Sequence, residues 1–507
     1  MLESDYFFWI VILYLSVLMG ISILKSYLIR SQDDFMVAGR ATPTYKLVGT
    51  LLCTWMGSGS LLAGAGLAAR VGFSELWMAA GAWVAIVIVF FLAARVRRIA
   101  QYTVPDILEK RYNKWARILG TLVVIIAYTT IVGYQFQGGG FVLELVAGIP
   151  IEQGVIITAA FIITFTAFAG MMSIVSVDVI NGLVITLAVL VAVPVVYFSI
   201  GGAEHLTTTL DPSHFEVFGD QNFLWAMGVF FPTFLLLLGE SNMYQKFFSA
   251  RSEKAAKHAV IWWVIGTIIV ETAIASLAIF AFSYFGNLSE GSEFFLSADN
   301  SEQIILHTAR YGSEVGLPLI AGLLLLCAAV AIITSTGNSF LLTPSTNLTR
   351  DIYQRFINPE AGEKTVILFQ RSMVILLGVM AYFSLRYFET ILEMAFTAYT
   401  MIGAGLTPAL LAVFLWKRVT TAGGVASIAT GMGVTLLITI INAAGDEPLT
   451  MFGWVVGADQ IVIPAALASI LVLIVVSLLT PPDPKEKWEP FYTKETTLDE
   501  VIGQNHK

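Results

Sequence analysis

FLLLLGESNMYQK, residues 234–246, carries an apolar run from Phe234 to Leu238 straight into a carboxylate. Glu240 follows Gly239, then Ser241 and Asn242, and Lys246, the basic residue expected to mark the membrane edge, arrives only afterwards. A carboxylate that far inside an apolar zone costs about 3 kcal/mol or more unless it has a partner. Polar residues around a glycine in such a segment point to unwound backbone facing a cavity, because backbone exposed to lipid has to stay hydrogen-bonded. A second interruption, TWMGSGS at 54–60, lies in another hydrophobic segment. Two broken helices in one membrane chain point to a secondary transporter with its site between them.

Working outward, the composition agrees. The chain has 507 residues, 57% hydrophobic and only 13% charged, with a mean hydropathy of +0.79. That is an all-α polytopic membrane protein, not a soluble one. At ~20 apolar residues per crossing, the sequence predicts thirteen spans: 6–28, 45–69, 73–97, 116–146, 150–172, 175–200, 222–248, 257–286, 316–346, 364–386, 389–416, 422–442 and 459–479. The first begins with an acidic MLESDY and has no cleavage site after it, so it reads as an anchor. With the N-terminus outside and the C-terminus in the cytoplasm, 25 of the 28 lysines and arginines fall in inner segments, and only Arg70, Arg310 and Arg386 do not. This satisfies the positive-inside bias and sets the orientation, the expected location being the cytoplasmic membrane.

Several functions are disfavoured. Cys53 and Cys327 are single and intramembrane, so no disulfide framework is implied. No histidine falls inside a span, which argues against a buried metal centre or a histidine relay. No Walker motif is present, so energy comes from an ion gradient or the flow is passive. Nothing suggests catalysis, nucleic acid or an obligatory protein partner; the partners implied are a small solute and the bilayer. In the inner loop, TVPDILEKRY predicts a short helix with Thr103 as cap and Pro105 in its first turn. The tail 481–507 reads as a flexible end.

Three clusters carry candidate chemistry. In LLCTWMGSGSLLAGAGLAAR, Gly64 and Gly66 fit close helix packing as well as anything else. The GSGS beside Trp55 instead predicts an unwound segment whose free carbonyls suit a hard cation. The ninth span ends AIITSTGNSFLLTPSTNLTRDIY, where Thr334, Ser335, Thr336, Asn338 and Ser339 put five oxygen-bearing side chains into six positions. One or two would be hydroxyls bonding back to the preceding turn; five fit a sodium cage better. Asp178 either caps the start of the sixth span or, being six residues past a short turn, has a functional role. Glu271 has no polar cluster around it in sequence and reads as a partnered or protonated acid.

These residues resemble the sodium:solute symporter family of proline, sugar, sialic acid and choline carriers. The resemblance covers about residues 6–480 and rests on DFMVAGR, TVPDILEKRY, AGMMSIVSVDVINGL, GESNMYQKFFSARS and STNLTRDIY together. It implies two inverted five-helix repeats of the leucine-transporter type, 45–200 and 222–416, each opening with a discontinuous helix. The first span and its loop, 1–44, and two peripheral spans, 422–480, flank them. Carried over by position, a main sodium site takes carbonyls of Cys53, Met56 and Ile332 and hydroxyls of Ser335 and Thr336. A second sodium site, present in some members, maps to Asp178, Ser335, Asn338 and Ser339, with Asn338 replacing a hydroxyl residue. The substrate site maps to Trp55, Gly57, Ser58, Tyr134, Gln135, Gln137, Glu240, Asn242, Tyr399 and Thr400.

Two departures bear on the substrate. Proline carriers have an acid where Trp55 stands, whereas choline-type relatives share its TW-x-G-x-G run, and Glu240 replaces an amide of the sugar and proline carriers. An acid and an indole make a niche for an ammonium group, although other aromatics of the choline site are not evident. The expectation is a Na⁺-coupled symporter for a solute with a positive nitrogen, such as proline or a choline-like amine. The alternatives are a carrier of a monocarboxylate or sugar, or a membrane sensor on the same scaffold. A channel is disfavoured because no repeated pore-lining ring is visible.

Overall fold

The computed structural model describes residues 3–99, 101–445, 448–451 and 454–492. Nearly all of it is helix, and eleven helical stretches are long and apolar enough to cross a membrane. Two of these, Gly59–Ile99 and Ile151–Ser199, have 41 and 49 residues. At ~1.5 Å per residue each is about twice as long as a crossing needs, and each bends at a glycine. Gly170, at φ 56° and ψ 177°, turns the chain between the fifth and sixth predicted spans, a conformation that a residue with a Cβ resists. Gly72, at φ 67°, does the same between the second and third. The thirteen-span count remains a reading of these eleven stretches.

The spans at the centre are those with small or hydroxyl-bearing residues. Span 9 (Leu319–Asn347) packs against spans 4, 5 and 6, and span 11 (Ile391–Gly405) packs against spans 4 and 7. Both are buried along most of their length, while spans 1, 10, 12 and 13 show most of their surface to lipid. Spans 3 and 8 pack on one another, and span 8 covers the second half of span 2.

Both predicted interruptions are present. Span 2 is helical over Thr44–Trp55, leaves the helix at Met56 (ψ 87°) and resumes at Gly59. Span 7 runs Phe223–Gly239, extends at Glu240 (ψ 104°) and restarts as Ser241–Ser249. The inner-loop helix forms as Val104–Arg111, with Thr103 Oγ accepting the Asp106 N–H at 3.1 Å. It is one side of an ion network in which Arg117 bonds Asp106, Glu109 and the fully buried Asp351. Burial alone would push the Glu109 carboxyl up, but hydrogen bonds from Arg355 and Arg117 outweigh it and hold it below the usual carboxylate range.

Two expectations need correction. Lys246 does not mark a membrane edge: it is fully buried, because every residue of the short helix Ser241–Ser249 packs inside, and the exposed basic residue is Arg251. The start of the tail is also docked. Asp483 pairs with buried Arg111 at 2.9 Å, Lys487 donates to the Tyr112 carbonyl at 3.0 Å and Phe491 is buried. Residues 493–507 of that tail lie outside the described residues.

Candidate functional site

Breaking span 2 frees a specific set of carbonyls. In an unbroken helix Cys53, Thr54 and Met56 would accept from Gly57, Ser58 and Ser60. Here Gly57 N–H turns to the Trp55 carbonyl (3.0 Å), Ser60 N–H to that of Gly57 (3.1 Å), and Ser58 N–H to Gln135 Oε1 (3.0 Å). The three released oxygens meet one side chain: Thr336 Oγ1 lies 3.4 Å from the Cys53 carbonyl, 3.3 Å from Thr54 and 3.1 Å from Met56. Three carbonyls and a hydroxyl, all buried, are the donor set of a hard monovalent cation. Among the expected ligands Cys53, Met56 and Thr336 are therefore together. Ser335, about 100° around the helix, bonds elsewhere, and Thr334 bonds back to Val330 (2.7 Å), as an ordinary helical threonine does.

Ser335 Oγ donates to Asp178 Oδ1 at 2.5 Å, and Thr50 Oγ1 donates to Asp178 Oδ2 at 2.5 Å. Asp178 is thus a buried acceptor inside a helix, not a cap at its start, and the capping alternative is set aside. The remaining residues of the second set turn to protein partners. Asn338 Oδ1 accepts from Thr166 at 3.0 Å, and Ser339 Oγ lies 3.1 Å from Thr54 Oγ1. The Lys246 amine donates to the Thr50 carbonyl at 3.0 Å and to Thr54 Oγ1. It reaches Asp178 through Thr50 and lies within electrostatic range of both Asp178 and Glu240.

At the second break, Tyr128 and Tyr244 take over the backbone bonds that the helix gives up. Asn242 N–H donates to the Tyr128 hydroxyl (3.2 Å) and Tyr244 donates to the Leu238 carbonyl (2.9 Å). Glu240 is buried at this break, within electrostatic range of Lys246, Tyr128, Tyr134 and Tyr399. Side-chain atoms nearby are left without protein partners: Ser241 Oγ, both polar atoms of Asn242, Gln135 Nε2 and Thr400 Oγ1. Buried polar atoms are nearly always hydrogen-bonded, so these are the positions a polar ligand would satisfy. Gly59 brings the two tyrosines to the first break, since a Cβ there would lie 2.3 Å from the Tyr399 hydroxyl and 3.5 Å from that of Tyr134.

The expected pairing of Trp55 with Glu240 is not the one formed. Trp55 Nε1 donates to Glu271 Oε1 at 2.8 Å, and Trp83 Nε1 donates to Glu271 Oε2 at 2.6 Å. Glu271 does have a polar cluster, assembled from spans 2 and 3 and invisible in its own stretch of sequence. Gln137 does not join the others. Two residues past Gln135 it faces the opposite side of span 4 and lines a separate cavity with Glu152, Tyr382 and Arg386. Trp83, Thr50, Thr54 and Tyr128 went unnoticed in the sequence: single polar or aromatic residues in apolar runs read as ordinary membrane-helix content.

Comparison with known proteins places the chain in a family and a fold. The model of the sodium:solute symporter family matches residues 35–431. A sodium/proline symporter of Staphylococcus aureus is 25% identical over 475 residues, covering 88% of each chain. Among solved structures, a substrate-bound, outward-open Na⁺-coupled sialic acid symporter superposes with a TM-score of 0.76 at 16% identity, over 94% of this chain and 98% of that one. A nucleobase-cation-symport-1 family transporter, closed on bromovinylhydantoin, gives 0.56 at 12% identity, over 90% and 97%. The shared fold is that of inverted repeats with discontinuous first helices.

Proposed function

Because the chain belongs to the sodium:solute symporter family, we propose that it carries a small solute with a positively charged nitrogen, coupled to sodium bound at the break of span 2. It is a multi-pass membrane transporter and not an enzyme. The observation that carries the sodium reading is the convergence of the Cys53, Thr54 and Met56 carbonyls on Thr336 Oγ1. An ion there ties the first half of span 2 to span 9. It favours whichever conformation keeps the two together, and shifts the equilibrium only by its difference in affinity between the two forms. We place the N-terminus outside, so that the turn joining spans 2 and 3 faces outward. Substrate binding then closes that side, and loss of sodium to the dilute cytoplasm releases spans 2 and 9.

The second set of oxygens supports no further sodium in this reading. Asp178 is engaged by Thr50 and Ser335, Asn338 by Thr166 and Ser339 by Thr54, and the Lys246 amine, bonded to the Thr50 carbonyl and Thr54 Oγ1, already brings a positive charge beside them. The chain then couples one sodium to each solute. The substrate reading rests on the acid and aromatic lining shared by Trp55, Glu271 and Tyr399. The Staphylococcus aureus relative is a sodium/proline symporter, and the nitrogen of proline is cationic at neutral pH. The test is uptake into proteoliposomes with and without an inward sodium gradient, with equilibrium binding of radioactive sodium to the purified protein. One saturable sodium and sodium-dependent uptake of an amine are expected. Gradient-independent uptake, or uptake of sugars or monocarboxylates only, would overturn the respective half.

A further inference from the structure

Glu75 and Glu271 face the same small cavity, of about 20 Å³, between spans 2, 3, 7, 8 and 11. Both side chains are more than nine-tenths buried, at 6% and 8% exposure. Their situations differ. Glu271 accepts two indole N–H bonds, whereas no hydrogen bond or ion pair reaches the Glu75 carboxylate among the described residues, and its one charged neighbour is Glu271. Glu75 Oε1 lies over Gly64, where a Cβ would come within 3.1 Å of it. It is an unpartnered acid aimed into a cavity that already holds another acid. Two such carboxylates cannot both be ionised without a positive charge between them.

We infer that this cavity seats the protonated amine of the transported solute, and that the amine must carry at least one N–H. The inference rests on the symporter reading above and narrows its substrate class. Size argues first: the cavity is small, about 20 Å³, and takes a head group and not the body of a solute. The wall argues second. Oxygens of Glu75, Glu271, Ser60 and Tyr399 are there to accept N–H bonds, while Met78, Ala79 and Ile274 supply an apolar side that suits the carbon next to the nitrogen and would leave a bare metal ion short of ligands. Position argues third. Trp55 and Tyr399 line this cavity and also adjoin the break of span 2, so a solute anchored here by its nitrogen lies beside that break, where Gln135 Nε2 has no protein partner. Thr233 is spent on the Met78 and Phe230 carbonyls and is a wall, not a ligand.

The experiment uses the purified full chain in detergent with saturating sodium. Thermal stabilisation is measured across the amino acids, including L-proline, and simple primary and secondary amines. Each is set against its fully N-methylated counterpart, with sugars and monocarboxylates as the neutral and anionic arms. At least one N–H amine is expected to stabilise the protein, and its quaternary counterpart to bind about tenfold more weakly or worse, the size of losing a charged hydrogen bond. Glu75→Gln and Glu271→Gln should each weaken that amine to a similar extent. The wild-type comparison needs no variant, so a poorly folding mutant cannot hide the result. Equal or tighter binding of quaternary amines, stabilisation only by sugars or monocarboxylates, or indifference of the amine to both variants would overturn the inference. Radioactive sodium binding in the same samples separates the two readings: sodium bound without amine selectivity defeats this inference alone, while no sodium bound defeats the symporter mechanism beneath it.

Discussion

Beside the two helix breaks the protein buries two sets of acids, and only one of these has a lysine near it. Around the break of span 7, the Lys246 amine, held by the Thr50 carbonyl and Thr54 Oγ1, lies within electrostatic range of Asp178 and Glu240 without bonding either directly. Across Trp55, Glu75 and Glu271 face each other without a lysine, arginine or histidine in an ion pair among the described residues. A buried charge needs a partner wherever it lies. Where the fold supplies one, the acid is architecture; where it does not, the acid keeps its proton or takes a partner from outside. Burial by itself therefore does not locate the substrate, but an uncompensated charge does.

The largest effect expected from breaking this contrast is at Lys246. Lys246→Met removes the internal cation and leaves two acids behind, so it should cost about 3 kcal/mol or more of stability, read as a lower thermal midpoint in detergent. Adding Asp178→Asn should recover part of the loss. A Lys246→Met protein as stable as the parent would erase the distinction between the two sets. Next comes the exchange of acid for amide. Glu271→Gln should weaken an amine substrate by ~1–3 kcal/mol, the range for a charged hydrogen bond, and Glu240→Gln by clearly less, because Glu240 already answers to Lys246. Equal losses in a binding titration would mean that both acids touch the solute.

Sodium gives a third, similar-sized effect. Thr336→Ala should raise the sodium concentration for half-maximal uptake about tenfold, or ~1.4 kcal/mol. Ser335→Ala, whose hydroxyl serves Asp178, should do less, and Thr349→Ala, which only bonds back to Ser345 at 2.7 Å, should do almost nothing. The smallest effect is at the indole donors. Trp83→Phe keeps the ring and removes one N–H from Glu271, and should cost ~0.5–1.5 kcal/mol in amine binding, seen as a shift in half-saturation.

How much of this was legible in the sequence follows from what is local and what is not. Helices, interruptions and the buried hydroxyl run at 334–339 are written in consecutive residues, so GSGS and LGES could be read as unwound backbone. The partner of Trp55 lies 216 positions away, and nothing in IIVETAIAS says which indoles will arrive. Glu75 sits at the turn after span 2, where a carboxylate ordinarily meets water; it is buried because it turns back over Gly64 into a cavity that residues of spans 7, 8 and 11 help to close. Lys246 read as an edge marker by the rule that cations avoid the interior. It breaks that rule because two distant acids and the Thr50 carbonyl compensate it. Gln137 was lost to helical phase alone.

The most direct test of the account is a paired measurement on reconstituted protein: uptake of the N–H amine found in the thermal screen, driven by an inward sodium gradient, alongside the number of sodium ions bound at saturation. The account predicts accumulation that collapses when the gradient is dissipated, with one sodium bound per chain. Accumulation that ignores the sodium gradient would contradict it, and so would a folded protein that binds no sodium.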